Sequence, residues 1–237
     1  MKQYAYLAIN FACILIPFIF SFYPKYPFFK KWKYFFSANI LISIIFIIWD
    51  IEFTKMGIWG FNESYLIGIT IFNLPIEETL FFICIPYACT FTYFALRKLV
   101  VLKLQLSLQK KINIIFAILL AIISIYFNDK IYTFLSLSLT SLLLIISTIL
   151  NKDFAYIYLT YLITIPFFLL SNGALTGMFS ESPIVWYDGI NNTEFRVFTI
   201  PIEDFIYGFL LISSNILTYE FLTPRHYKVS EPNLKEY

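Results

Sequence analysis

Four acidic residues stand out by type and place. Glu77 and Glu78 follow Pro75-Ile76, and Glu203 and Asp204 follow Pro201-Ile202. Each block opens a long apolar run, where an ionised carboxylate resists desolvation. Two carboxyls held apart in protonation, one acid and one base, are the elementary set for general acid/base chemistry. The same block is also a well-made helix start. Proline suits the first turn, and acids there meet free N–H groups and the positive end of the helix dipole. Helix starting accounts for one copy. Two copies 126 residues apart, each with a doubled acid, point to a duplicated unit and a site built from both halves.

The elements that position these acids must be membrane helices. Of the 237 residues, 59% are hydrophobic, 21% aromatic and 14% charged, which excludes ordinary soluble domains. Several apolar runs reach the roughly 18 residues that cross a bilayer. The fold expected is all-α: a polytopic membrane bundle of about seven spans, near 4–22, 35–50, 75–96, 112–127, 131–150, 154–171 and 201–222. The first span, with one lysine before it and no small-residue cleavage site after it, reads as an anchor. A net charge of +2 gives no argument for nucleic acid. Cys13, Cys84 and Cys89 lie in apolar runs without a C-x-x-C and read as packing residues. The one histidine, His226, is in the polar tail, so no histidine-based metal site or triad is expected, and no glycine-rich phosphate cradle occurs.

Charge sets the topology. The loops after odd-numbered spans and the C-terminal tail hold 13 of the 17 Lys and Arg, among them Lys25, Lys30, Lys31, Lys33, Arg97 and Lys98. The positive-inside rule then places the N-terminus outside and the C-terminus in the cytoplasm, with both acidic blocks on the outer side. At an offset of 126, Pro75, Ile76, Glu77, Thr92 and Tyr93 match Pro201, Ile202, Glu203, Thr218 and Tyr219. At an offset of 122, Asp50 and Thr54 align with Asn172 and Thr176. The expected division is a first three-span repeat over 1–97, a basic connection and bridging span over 98–130, a second repeat over 131–222, and a cytoplasmic tail over 223–237. With one bridging helix the two repeats run parallel, facing each other across a cleft.

Around the acids, Asp50 and Asn172 end their spans on the same side and are placed to hydrogen-bond the motif carboxyls. Tyr207 lies one turn below Glu203 and can orient it or relay a proton. Trp49, Trp59 and Trp186 share that side. Such tryptophans commonly form an interfacial belt, but one on the cleft would shield a carbocation. Phe81 and Phe82 belong to a phenylalanine-rich chain whose walls suit a polyene better than a sugar or an ion. Asn215, deep in the last span, is expected to bond a neighbouring helix. Pro86 and Pro166 fall inside spans.

These residues carry a resemblance. Pro75-Ile76-Glu77-Glu78 with Phe81-Phe82, the Trp49-Asp50 pair, Leu175-Thr176-Gly177, and Pro201-Ile202-Glu203-Asp204 with Tyr207 resemble the lycopene cyclase domain family of small integral-membrane proteins. That family comprises two-subunit bacterial forms and fused archaeal, fungal and bacterial ones. The resemblance covers about 1–222 and implies the fused, two-repeat form. It implies a lycopene beta-cyclase, an isomerase that closes linear carotenoid ends to β-ionone rings in carotenoid biosynthesis, with no net redox change and no cofactor. A carboxylic acid protonates the end-group double bond. The next double bond closes the ring on the resulting cation, and a carboxylate removes a ring proton. On that basis Glu77 and Glu203 are the expected principal acid/base residues, with Glu78 and Asp204 as partners. Asp50, Asn172, Tyr207, Trp49, Phe81 and Phe82 are in support. The partners implied are a lipophilic carotenoid in the bilayer of a bacterial cell membrane and membrane lipid. Homo-oligomerisation is left open. The rival readings are a proton-coupled membrane carrier and a membrane prenyltransferase, the latter poorly served by Asp50 and Glu52 as its nearest acidic cluster.

Overall fold

A computed structural model describes residues 2–224; His226 and most of the expected tail lie outside the described residues. Among the described residues, seven helices are long and apolar enough to cross a membrane. They are α1 (Ala5–Phe20), α2 (Trp32–Lys55), α3 (Ile76–Leu99), α4 (Leu106–Tyr126), α5 (Ile131–Ile149), α6 (Ala155–Leu175) and α7 (Ile202–Leu222). The polytopic all-α architecture is therefore as expected, with boundaries that shift in two informative places.

Helix α2 does not stop at Trp49-Asp50 but runs on to Lys55, and α6 passes Asn172 to reach Leu175. Both polar residues are buried inside helices, so neither acts as a stop. The stops are glycines. Gly57 (φ +71°) and Gly177 (φ +97°) take the left-handed conformation just past each helix. The following amides then bond back, Ile58 N to Phe53 O at 3.0 Å and Met178 N to Gly173 O at 2.8 Å, the pattern of a glycine-closed helix end. The basic connection is likewise shorter than expected. Arg97–Leu99 continue α3 and α4 begins at Leu106.

Between the helices on the acid side lie six short strands. β2 (Thr70–Ile71) and β3 (Leu74–Pro75) form a hairpin leading into α3, and β5 (Arg196–Val197) and β6 (Ile200–Pro201) form one leading into α7. Their registers match at the offset of 126: Thr70 pairs Pro75 and Ile71 pairs Leu74, as Arg196 pairs Pro201 and Val197 pairs Ile200. Phe72 and Phe198 sit at the two turns with φ of 57°, the positive value that two-residue hairpin turns require. β1 (Trp59–Phe61) and β4 (Val185–Tyr187) pair antiparallel across the repeats and roof the space between them. In that roof Gly60 faces Trp186, and a Cβ on Gly60 would fall 2.3 Å from Trp186 Cζ2, so only glycine fits under the ring.

Helix packing interleaves the two halves. α1 packs on α3 and α5 on α7 within each half, while α2 packs on α7 and α6 on α3 across them. α4 packs on α5. Inside the bundle Asn39 Nδ2 donates to Phe82 O at 2.9 Å and to Asn215 Oδ1 at 3.1 Å, so Asn215 does bond a neighbouring helix. At the opposite end, Arg97 of α3 meets Glu220 of α7 at 3.2 Å, which puts those two helix ends on one side of the membrane.

Candidate active site

Each acidic block opens its helix as the sequence implies, with one refinement. Pro75 (φ −63°, ψ 147°) and Pro201 (φ −56°, ψ 140°) are the extended capping residues, and the helices begin at Ile76 and Ile202. The acids occupy the second and third helical positions, where free N–H groups and the dipole favour negative charge. Consecutive helical residues point about 100° apart, so the two acids of each pair face different surroundings.

The outer members, Glu77 and Glu203, are fully buried and turn back towards their own hairpins. Glu77 Oε1 accepts from Ile67 N at 2.7 Å. Glu203 Oε1 accepts from Thr193 N and Thr193 Oγ1 at 2.8 Å, and from Thr133 Oγ1 at 2.6 Å. Ile67 and Thr193 are 126 residues apart, so the two clamps are equivalent. Each ties the incoming arm of a hairpin to the helix it leads into.

The inner members, Glu78 and Asp204, turn towards each other's half. The Tyr6 hydroxyl of α1 donates to Glu78 Oε2. At the equivalent place the Tyr132 hydroxyl of α5 donates to Asp204 Oδ1 at 2.6 Å. Asp204 Oδ2 accepts two more bonds, from Asn172 Nδ2 at 2.7 Å and from the Tyr187 hydroxyl at 2.9 Å. Burial pushes the Tyr187 phenol well above its usual range, and the neighbouring Asp204 charge adds to this, so Tyr187 stays a donor. Asp50, the counterpart of Asn172, accepts from Trp59 Nε1 and leaves its buried Oδ2 without a hydrogen-bond partner among the described residues.

Glu78, Asp204 and Asp50 line one cavity of about 550 Å³, within the range of about 300–1,000 Å³ usual for small-molecule pockets. Glu77 and Glu203 do not line it. Its acidic end is walled by Tyr6, Trp59, Phe61, Phe81, Tyr132, Tyr187 and Tyr207, and its remainder is almost wholly apolar. Among the described residues, no Lys, Arg or His lines it. Such a chamber combines proton-bearing and proton-accepting groups with aromatic faces that attract a cation.

A lycopene cyclase family model matches residues 3–96 and again 129–222, most of the chain. The chain belongs to the lycopene cyclase family. The two matched stretches start 126 residues apart, the offset of the acidic blocks. A curated relative, the bifunctional lycopene cyclase/phytoene synthase of Aspergillus oryzae, is 29% identical over 112 residues, 44% of this chain and 19% of its own length. The chain thus spans about a fifth of that relative. No solved structure matches it.

Within this cyclase-family chain the supporting residues separate cleanly. Asn172 bonds a motif carboxyl, as the sequence suggested; Asp50 shares the cavity with Glu78 but takes its hydrogen bonds from Trp59 and, at 3.4 Å, from Thr54 Oγ1. Tyr207 lines the cavity, edge-on to Trp49 and Phe46, and the Glu203 oxygen it was expected to orient is held by Thr133 and Thr193. Phe81 is on the wall, whereas Phe82 and Trp49 pack behind it in an apolar cluster with Phe46, Leu210 and Leu211. Trp59, not Trp49, is the tryptophan on the cavity. Sequence reasoning missed Tyr6, Tyr132 and Tyr187. The first two were findable, because they repeat at the same offset of 126 as the acids they bond.

Proposed function

We propose that the chain is a carotenoid end-group cyclase that turns the linear ends of lycopene into β-ionone rings. The observation that carries the reading is the placement of Glu78 and Asp204. They are equivalent members of two repeats, and they meet on one apolar, aromatic-walled cavity. Family membership and the cyclase named in the Aspergillus oryzae relative support the same chemistry.

The chemistry follows from the groups present. Three carboxyls share the cavity with no lining cation among the described residues, so like charges in a dry space favour keeping a proton on the cluster. Asp204, held by three donors, is built for negative charge. Glu78 accepts from Tyr6 and shares the cavity with Asp50, so the Glu78–Asp50 pair is the proton source. Glu78 gives its proton to the terminal double bond of the substrate, leaving a tertiary cation. The neighbouring double bond attacks that cation and closes a six-membered ring. The faces of Trp59, Tyr132, Tyr187 and Tyr207 lie around the charge, and water is kept away from it. Asp204 then removes a ring proton and a ring double bond forms. The proton gained by Asp204 equals the proton lost by Glu78, so its return across the shared cavity resets the site without a redox partner. In this reading Glu77 and Glu203 hold the hairpins and do not touch substrate.

The same proposal places two repeats at 1–97 and 131–222 about a bridging span, in a bacterial cell membrane. The acids lie on the outer side and the C-terminus in the cytoplasm, following the lysine and arginine bias. The test is expression in lycopene-accumulating cells, with pigments resolved by chromatography. Appearance of singly or doubly cyclised products is expected. Unchanged lycopene beside well-folded protein refutes cyclisation of that substrate.

A further inference from the structure

The cavity is deeper than an acid/base site needs. From Glu78 at its acidic end it follows α3 to Thr92, fourteen residues on, a depth of about 21 Å at about 1.5 Å per helical residue. That is some two-thirds of an about 30 Å hydrocarbon layer. Three of its lining residues, Ile16 of α1 and Phe167 and Leu170 of α6, are 62%, 66% and 60% exposed on the outside of the bundle. The cavity therefore reaches the lipid-facing surface through a slot between α1 and α6.

The fold's repeat predicts a matching slot between α5 and α2, and there the side chains differ. Gly208 on the open side corresponds to Phe82, Ser171 to Trp49, and Pro17 to Leu143, by the offsets of 126 and 122. Gly208, Ser171 and Pro17 line the cavity. Phe82, Trp49 and Leu143 pack together with Phe46 and fill their position. At Gly208 an added Cβ would meet only Phe168 Cε2, at an ordinary contact distance of 3.8 Å, and the glycine itself lines the cavity, so a ring placed there would project into the slot.

We propose that the α1/α6 slot is the entrance by which a long polyene slides from the bilayer to the carboxyls, and that Gly208 and Ser171 keep it open. The occupant is a long, apolar polyene lying along the helices with its reacting end at Glu78 and Asp204. With the α5/α2 slot filled, one end is admitted at a time, and cyclising both ends takes two separate entries. This proposal rests on the cyclase reading for the identity of the chain that enters, and its test separates the two.

The protein is purified in detergent from lycopene-accumulating cells, and both bound polyene, by its visible absorption, and cyclised products are measured. Gly208→Phe and Ser171→Trp install in the open slot the residues of the filled one. Each is expected to lower bound polyene and ring formation at least tenfold. Ile16→Trp, on the lipid-facing mouth where misfolding is least expected, is to lower both severalfold. Leu142→Trp and Ile45→Trp, at the equivalent exposed places beside the filled slot, are to stay within twofold of the parent. Equal polyene retention in Gly208→Phe, Ser171→Trp and Ile16→Trp, or an equal loss in Leu142→Trp, overturns the slot. So does a parent protein that retains no polyene. A parent that retains polyene and loses it in the slot variants, yet makes no ring, keeps the slot and sinks the cyclase reading.

Discussion

Changing each acid of the two blocks to its amide discriminates between roles that the primary structure makes look alike. Glu78→Gln removes a transferable proton from the cavity, and Asp204→Asn removes the oxygen pair that would receive one. General acid/base groups contribute about 10²–10⁴ in rate, or about 2.7–5.4 kcal/mol at about 1.36 kcal/mol per tenfold. Asp204→Asn carries a second cost. Tyr132, Tyr187 and Asn172 all donate to its two oxygens, so an amide NH₂ placed there either faces the Asn172 NH₂ or makes the Tyr132 hydroxyl give up its donated bond and accept instead. An unmade buried bond costs about 1–3 kcal/mol. The outer pair behaves differently. In Glu77→Gln the amide oxygen can still accept from Ile67 N, and in Glu203→Gln from Thr133 and Thr193. What is lost is charge assistance, about 1 kcal/mol per bond, so about 1 kcal/mol at Glu77 and up to about 3 kcal/mol at Glu203. That loss falls on hairpin anchoring and shows as lower thermal stability. The assay is β-ring formation per unit of folded protein, alongside a melting curve. Expected are losses of at least 100-fold for Glu78→Gln and Asp204→Asn, and less than tenfold for Glu77→Gln and Glu203→Gln. Abolished turnover in a well-folded Glu77→Gln protein, with Glu78→Gln still active, would refute the inner-and-outer division.

Tyr6→Phe and Tyr132→Phe each delete one hydroxyl on an inner acid while keeping the ring. Bonds to charged groups are worth about 1.5–3 kcal/mol, so turnover should fall about 10- to 100-fold in single-turnover assays while polyene retention stays near that of the parent. Gly60→Val drives a side chain into Trp186 and should part β1 from β4, seen as weaker thermal stability and slower turnover together. The raised Tyr187 phenol gives a sign for pH. The folded state keeps the proton when the unfolded chain, with an ordinary value near about 10, has lost it. Tyr187 therefore contributes stability that is complete below about pH 10 and shrinks as pH rises above it. Melting curves from pH 8 to 11 should steepen their decline above pH 10 in the parent and less so in Tyr187→Phe; identical declines would remove Tyr187 as the cause.

Much of this arrangement was legible in the chain because membrane crossing imposes long, unmistakable apolar runs. The seven helices follow from that. The helix ends were harder. Trp49-Asp50 looked like a terminus because a buried aspartate inside a span is costly, and Trp59, nine residues on in a roof strand, meets that cost at only one of the two oxygens. The doubled acids were visible, but which of each pair faces the cavity was not. A helix start presents both members within one turn, and the choice depends on where the hairpin folds back. The clamp from Ile67 to Glu77, and its repeat from Thr193 to Glu203, are loop contacts that no periodicity encodes. The tyrosines on the inner acids were encoded, since Tyr6 and Tyr132 keep the offset of the acids.

A twofold repeat would place identical groups across the axis, and identical groups make a poor acid and base. This chain breaks the identity where it matters. Glu78 faces Asp204, Asp50 occupies the place of Asn172, and Trp59 and Tyr187 are paired across the roof. The exchange of Asp50 for Asn172 is the decisive one. The amide gives Asp204 a donor, whereas the carboxyl gives the Glu78 half a further acid and an oxygen without a partner. On the proposed cyclase reading, one half thereby holds negative charge and the other holds a proton. The slots diverge in the same way, Gly208 and Ser171 on one side against Phe82 and Trp49 on the other. A duplicated scaffold supplies two converging helix starts. On the same proposed reading, directional proton transfer comes from the few positions at which the copies no longer agree.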